Sequence, residues 1–275
     1  MSSVKSRDDD PVIVLSRTQF PKGDRQMIPF RVAVFDMAGT TVTARNEVRS
    51  IFIQAGQNTG LEFTPEQYQP LRGLSKREVF VRLWTDQSRH QSIDLPSRIE
   101  ASFAEFRRIL EEYYRTVPVV PTEGCLECFE WLRRQGISIG LTTGFYREVT
   151  NIILRRLEWD QGLDSRYVGT PDTFIQASAT SDEVANGRPA PDMIRRIMAA
   201  TGIEDPHSVI KIGDTPVDLE EGRNAGCGLT LAVTNGSNTI EQLQGCSNDG
   251  LLSSLLELKE CLQENSTERH RGLGK

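Results

Sequence analysis

The run Val32, Ala33, Val34, Phe35, closed at once by Asp36 and shortly after by Gly39, most constrains what this chain can become. Four apolar residues without a polar alternation describe a strand buried on both faces, the pattern of a central parallel strand. The C-terminal ends of such strands border the crevice in which open α/β sheets bind ligands. Asp36 is therefore the first candidate for chemistry. Capping a turn or the next helix is the other ordinary use of an aspartate here, and this stretch alone leaves both open.

With 275 residues the chain has room for one α/β core and a smaller appended domain. A net charge of −6 gives no electrostatic footprint for nucleic acid or a membrane surface, and neither is expected as a partner. A small anionic substrate is compatible with it if cations are focused locally. Five scattered cysteines without a secretory segment are read as reduced thiols of a cytoplasmic protein. Cys125 and Cys128 form a C-x-x-C pair with no second pair at zinc spacing, so structural thiols on a helix are expected. Residues 1–29 form an extension with an acidic cluster at Asp8 to Asp10 and an apolar run, Val12 to Leu15, too short to span a membrane.

After Thr41 the apolar spacing becomes helical, through Val48, Ile51, Phe52 and Ala55. Further helices are predicted after Thr64-Pro65-Glu66, from Leu71 to Trp84, and from Pro96 to Tyr114. An all-helical insert of roughly seventy residues is far longer than an ordinary connection and is expected to form a cap over residues 44–117. The two prolines of Val117 to Pro121 stiffen the return. Strands and helices then alternate: a helix to Gln135, a strand from Ile137 to Leu141 ending in Thr142-Thr143-Gly144, and a helix from Tyr146 to Leu157. A short strand is expected over Thr173 to Ala177, a helix from Asp192 to Thr201, and a strand over Val209 to Ile212 leading into Gly213-Asp214-Thr215. A helix from Pro216 and a strand over Leu229 to Val233 follow, then an apolar helical face over 251–262 and a polar tail. The fold class is α/β, a doubly wound Rossmann-like parallel sheet over 30–43 and 118–250 with an inserted helical cap, ending in a C-terminal helix and tail at 251–275.

Three strand ends thus carry reactive groups: Asp36, Thr143, and Asp214 with Asp218 four residues on. Parallel strands bring those ends to one sheet edge. Asp36 and Asp214 can then share a divalent cation, and an all-oxygen set favours Mg²⁺. Without a cation, clustered carboxylates would repel one another and an anionic substrate.

Four motifs in order, Asp36-Met37-Ala38-Gly39-Thr40-Thr41, Thr143, Arg188 in Gly187-Arg188-Pro189, and Gly213-Asp214-Thr215 with Asp218, resemble the haloacid dehalogenase superfamily of phosphoryl-transfer enzymes from about Arg31 to about Thr234. That resemblance implies that Asp36 is a nucleophile forming an aspartyl-phosphate, with Mg²⁺ and Arg188 neutralising the phosphoryl oxygens. It also implies that the Ala38 carbonyl joins the metal site, that Thr143 and the Gly144 N–H hold the phosphoryl group, and that Asp218 supports the metal through water or its neighbours.

Ala38 departs from the superfamily's phosphatases and mutases, which usually have there a second Asp that protonates the leaving group. Alanine cannot. The phosphonatase branch, phosphonoacetaldehyde hydrolase, has alanine at this position and breaks a carbon–phosphorus bond, using a lysine imine as electron sink. Lys76, in Gly73-Leu74-Ser75-Lys76, matches that lysine, and Thr142 to Glu148 and Glu221 to Gly226 resemble the same branch. An ordinary lysine ammonium titrates near about 10.4, so desolvation or nearby charge, such as Arg72 and Arg77, would be needed to free the amine. Val79 stands where phosphonatase has a histidine, and Arg72 replaces a methionine and is expected to bind a more anionic substrate. The leading expectation is a Mg²⁺-dependent phosphonatase-like hydrolase, forming a homodimer through its cap by resemblance. A phosphatase for a small phosphate ester, with Lys76 only binding substrate, and a non-catalytic phosphate-binding module are the alternatives.

Overall fold

Alternate residues of the first strand, β1 (Val32–Asp36), point into different clusters of apolar side chains. Ala33 and Phe35 join one cluster and Val32 and Val34 the other, all fully buried. A strand covered on both faces must lie inside a layered α/β fold. The computed structural model describes residues 28–44, 46–71, 73–88 and 94–263, and in it β1 sits in the interior of a six-stranded sheet.

Four helices follow β1: α1 (Glu47–Thr59), α2 (Pro65–Tyr68), α3 (Lys76–Ser88) and α4 (Leu95–Thr116). The chain then alternates through α5 (Cys125–Gln135), β2 (Ser138–Thr143), α6 (Arg147–Arg156), β3 (Ala177–Thr180), α7 (Asp192–Thr201), β4 (Val209–Gly213), α8 (Pro216–Ala225), β5 (Leu229–Val233), α9 (Ile240–Gln244) and β6 (Gly250–Leu252). The strand order is β3-β2-β1-β4-β5-β6, and every neighbouring pair is parallel. Phe129 of α5 and Val149 and Ile153 of α6 cover the face that holds Phe35. Met193, Ile194 and Ile197 of α7, with Ala225 of α8, cover the other.

The cap has its own aromatic centre. Phe52 of α1 stacks on Phe80 of α3 with ring centroids 4.2 Å apart, and Phe63, Tyr68 and Phe106 close around it. Ser102 of α4, fully buried, accepts from the Trp84 indole at 2.9 Å and lies 2.6 Å from the Thr59 hydroxyl, so α1, α3 and α4 are also tied through a satisfied polar group. The cap is seated on the core through α4 and α6, where Arg107 stacks over the Tyr146 ring and the Tyr146 hydroxyl donates to Glu111 at 3.0 Å. Among the described residues, the large apolar side chains left exposed, Val120, Leu126, Ile240 and Leu256, are all on the core, and none is on a cap helix.

Four features differ from the sequence pattern. The strand expected over 173–177 begins only at Ala177, because the Thr173 hydroxyl folds back onto the Thr170 and Ile175 carbonyls and makes that stretch a turn. The helix expected from Leu71 starts at Lys76, after a 3₁₀ turn over Gln69–Leu71. Leu251 and Leu252, placed in a C-terminal helical stretch over 251–262, belong instead to the edge strand β6 (Gly250–Leu252), paired with β5; a 3₁₀ turn over Leu255–Glu257 and helical residues 258–263 come after it. The short helix α9 has no counterpart in that pattern. The extension up to residue 27 and the tail from 264 lie outside the described residues. No described helix is long and apolar enough to cross a membrane.

Candidate active site

The turn after β1 is set by one acceptor. The Met37 carbonyl takes the N–H groups of Thr40, Thr41 and Val42, which curls the chain back beneath the strand end. Gly39 sits at the tip with φ of 99°, where a Cβ would fall 2.4 Å from the Asp214 carboxylate. Only glycine lets this turn close onto the end of β4.

Register explains which side chains meet Asp36. Asp36 pairs with Thr142 of β2, and Val34 pairs with Lys211 of β4, so Asp36, Thr142 and Lys211 share the face covered by α7 and α8. Arg188 arrives on that face from the loop before α7. Its Nη1 donates to Asp36 Oδ1 at 2.6 Å and pairs with Asp218 Oδ1 at 2.9 Å. Its Nε donates to Glu221 at 3.0 Å and its Nη2 to the Thr142 hydroxyl at 2.8 Å. Lys211 donates to the same hydroxyl at 2.9 Å and lies 3.1 Å from Asp218 and 2.8 Å from Glu221. Asp218 is completed by Thr215, whose hydroxyl and N–H both donate to Oδ2. All of these groups are buried.

Asp214 stands beside this network, accepting from the Ser237 N–H at 2.7 Å, the Ser237 hydroxyl at 2.6 Å and the Thr40 hydroxyl at 3.3 Å. Asp36, Asp214 and Asp218 each offer an oxygen within 4.8 Å of the others. Burial, then the charges of Asp218 and Asp214, push the Asp36 carboxyl up to about 7 despite Arg188. Burial and Asp218 likewise raise Asp214. Burial acts in the same direction on Asp218, but Arg188 and Lys211 outweigh it and hold that carboxyl below its usual range. Arg188 is held protonated by Asp218, Asp36 and Glu221 against the cost of its burial.

A divalent cation fits this donor set. Among the described residues the ion pairs of Asp36, Asp218 and Glu221 are with Arg188 and Lys211, and Asp214 has none, which leaves two negative charges in this buried cluster. One dication balances them. Asp36 and Asp214 carry the oxygens least committed to protein cations, whereas both oxygens of Asp218 are already engaged. The Ala38 carbonyl, which accepts none of the hydrogen bonds formed among the described residues, is a further candidate donor.

Asp36, Ala38, Lys76, Thr143, Gly144, Arg188 and Asp218 line one cavity of about 200 Å³ between core and cap. Asp214 borders it through Ser237, and Arg72 lies outside the described residues. Lys76 begins α3, is 9% exposed, donates to the Leu74 carbonyl at 3.4 Å and lies 5.9 Å from the Tyr68 ring centroid. Gly144 is covered by the cap loop, since a Cβ there would fall 2.9 Å from the Gly73 carbonyl oxygen. Thr143, on the face of β2 opposite Thr142, has its hydroxyl fixed by the Phe145 N–H at 3.1 Å. Lys211, Glu221, Thr142 and Ser237 are not among the site residues expected from the sequence, although Thr142 and Glu221 fall in the two stretches that resemble the phosphonatase branch. A lysine inside the apolar strand Val209 to Ile212 is the signal for the first, because a buried ammonium requires partners, and Glu221 lies one helical turn after Asp218. Cys125 and Cys128 are buried in the core, and burial pushes the Cys128 thiol up to about 12, so they serve as packing groups.

The family model for haloacid dehalogenase-like hydrolases matches residues 30–226. A phosphonoacetaldehyde hydrolase of Bacillus cytotoxicus is 32% identical over 218 residues, covering 75% of this chain and 76% of that one. A bifunctional phosphonoacetaldehyde hydrolase/aminoethylphosphonate transaminase of Clostridioides difficile is 30% identical over 224 residues, and the match spans 76% of this chain but 32% of that protein. Among solved structures, a phosphonoacetaldehyde hydrolase-like protein from Oleispira antarctica superposes with a TM-score of 0.68 at 19% identity, over 92% of this chain and 99% of that one. A β-phosphoglucomutase from Clostridium difficile does so with a TM-score of 0.64 at 16% identity, over 87% and 98%. These two likenesses speak to the fold alone.

Two outcomes follow from the charge network. Lys211→Met leaves Asp218 and Glu221 short of a buried cation and is expected to cost about 3–5 kcal/mol in urea unfolding, with Lys211→Met/Glu221→Gln recovering part of it. The proton that Asp36 keeps up to about 7, and that the unfolded chain sheds near about 3.9, stabilises the cation-free protein below that lower value and is lost as pH rises through the upper one. Mg²⁺ competes with that proton, so the rise in melting temperature on adding Mg²⁺ should grow between about pH 6 and pH 8. Asp36→Asn should flatten that growth in the same thermal scans.

Proposed function

The chain belongs to the haloacid dehalogenase-like hydrolases, and we propose that within this family it is a phosphonatase-like enzyme that cleaves the C–P bond of phosphonoacetaldehyde or a related phosphonate. The observation that carries the proposal is a pairing within one cavity. Ala38 occupies the position where an ester-cleaving relative needs an acid, and Lys76 lines the same cavity as Asp36. The Bacillus cytotoxicus relative supports the same substrate class.

The chemistry runs through this chain's own side chains. The Lys76 amine adds to the substrate carbonyl and water leaves, giving a protonated imine. An Asp36 oxygen then forms a bond to phosphorus as the C–P bond breaks, and the C–P electron pair moves into the iminium to give an enamine. Without that sink the leaving group would be a bare carbanion. Protonation of the enamine carbon and hydrolysis of the imine release acetaldehyde and restore Lys76, while water cleaves the aspartyl-phosphate to inorganic phosphate and Asp36. A Mg²⁺ ion held by Asp36, Asp214 and the Ala38 carbonyl, with Asp218 behind them, would supply positive charge to the phosphoryl oxygens. Arg188 fixes the orientation of Asp36 through its 2.6 Å bond and brings a cation to the phosphoryl group, which Thr143 and the Gly144 N–H hold in place. The cap loop over Gly144 and the burial of Lys76 restrict water around the imine.

The hydrogen bond from Lys76 to the Leu74 carbonyl favours a second reading, in which the lysine stays an ammonium and binds a phosphate ester. Borohydride separates the two. Reduction in the presence of phosphonoacetaldehyde is expected to leave a two-carbon adduct on the peptide containing Lys76, and Lys76→Arg is expected to lower phosphate release from that substrate by about a hundredfold or more. Full turnover without an adduct, or a retained rate in Lys76→Arg, would move the assignment to the phosphatase.

A further inference from the structure

Among the described residues the cap's arginines are almost all paired. Arg77 pairs with Glu100, Arg82 with Glu78, Arg108 with Glu105, and Arg107 and Arg115 with Glu111, while Arg98 lies over Trp84 and donates to the Thr59 carbonyl. Arg49 differs. Its guanidinium takes part in none of the ion pairs or side-chain hydrogen bonds formed among the described residues, and it lines the cavity that holds Asp36 and Lys76. It also sits in the first turn of α1, where the helix dipole opposes a positive charge. The carboxylate in the same turn, Glu47, is buried and turned to the Tyr114 hydroxyl. A half-buried arginine on a cavity wall, held against a helix dipole and without a counter-charge among the described residues, is suited to receive an anion.

The substrate's chemistry says where that anion would be. With phosphorus at Asp36 on the core side and the carbonyl carbon at Lys76, the remaining substituent of the carbonyl carbon is left for the cap wall. In phosphonoacetaldehyde that substituent is hydrogen, which gives Arg49 nothing to bind. Asn46, with φ of 66° and no side-chain capping bond, lines the same wall and adds an amide donor. We propose that Arg49 recognises a second anionic group of the substrate, a carboxylate on the carbonyl carbon, so that the preferred substrate is a β-carbonyl phosphonate bearing a carboxylate. This narrows the phosphonatase assignment above and rests on it for the position of the carbonyl.

Binding of unreactive probes tests the subsite without requiring turnover. In calorimetry with Mg²⁺ present, 3-phosphonopropanoate is expected to bind about tenfold or more tightly than propylphosphonate, the worth of a charge-assisted pair. In Arg49→Gln that advantage should fall to within about twofold, and in Arg49→Lys part of it should return. Equal affinities in the wild type, or an advantage that survives Arg49→Gln in a protein with an unchanged melting temperature, would overturn the subsite. Phosphate release from phosphonoacetaldehyde and from 3-phosphonopyruvate, assayed in parallel, reports on the other assignment: a carboxylate preference in binding with no C–P cleavage of either compound would leave the subsite standing and remove the phosphonatase.

Discussion

Four carboxylates, Asp36, Asp214, Asp218 and Glu221, are buried at the C-terminal edge of the sheet, and among the described residues their ion pairs are made by two cations, Arg188 and Lys211. Buried charge is tolerated only when it is paired and hydrogen-bonded, and nearly every local feature of the fold serves that pairing. Register places Asp36, Thr142 and Lys211 on one face. The capping box of α8 orients Asp218 from below, because the same Thr215 side chain that starts the helix also donates to the carboxylate. Gly222 has no Cβ to strike Lys211, which brings α8 close enough for Glu221 to reach both cations. Burial, with the neighbouring Asp218 and Asp214 carboxylates, raises Asp36, and the residual negative charge makes the site one that a dication would complete.

In the proposed reaction this network would fix where phosphorus is attacked, but it says little about which bond breaks. That choice belongs to two positions outside it. Ala38 contributes a backbone carbonyl and no proton, so an alkoxide leaving group would depart unassisted from that side. Lys76 belongs to the cap and reaches the cavity because the 3₁₀ turn at Gln69–Leu71 and the loop through Gly73 deliver the start of α3 over Gly144. Core and cap thus divide the chemistry. In the proposed reaction the core would hold phosphorus and its nucleophile, and the cap would supply the group that receives the carbon's electrons and, through Arg49, a contact that selects the carbon skeleton.

Much of this was legible in the sequence because the signals were local. The apolar run into Asp36, the paired strand ends at Thr143 and Asp214, and the helical spacing of the cap each report a structure made within a few residues. Most of the misses were non-local, the turn closed by the Thr173 hydroxyl being a local one. Gly250–Leu252 looks helical beside the later leucines, and only pairing with β5 makes it a strand. Thr173 to Ile175 has β-forming residues but folds into a turn closed by its own hydroxyl. Lys211 and Glu221 gain their meaning from contacts between elements, Lys211 reaching Thr142 from 69 positions away along the chain. Arg49 is notable for having no ion-pair partner among the described residues, a property that spacing cannot show.

With no acid at position 38 and a lysine on its cap wall, the site is proposed to break carbon–phosphorus bonds in preference to ester bonds. The direct measurement compares kcat/KM for phosphate release from phosphonoacetaldehyde with that from glycolaldehyde phosphate, its ester counterpart with one oxygen inserted. A ratio in favour of the phosphonate of at least about a hundredfold, the lower range of what a missing general acid costs the ester, is the predicted result. Equal rates, or a faster ester, would contradict it.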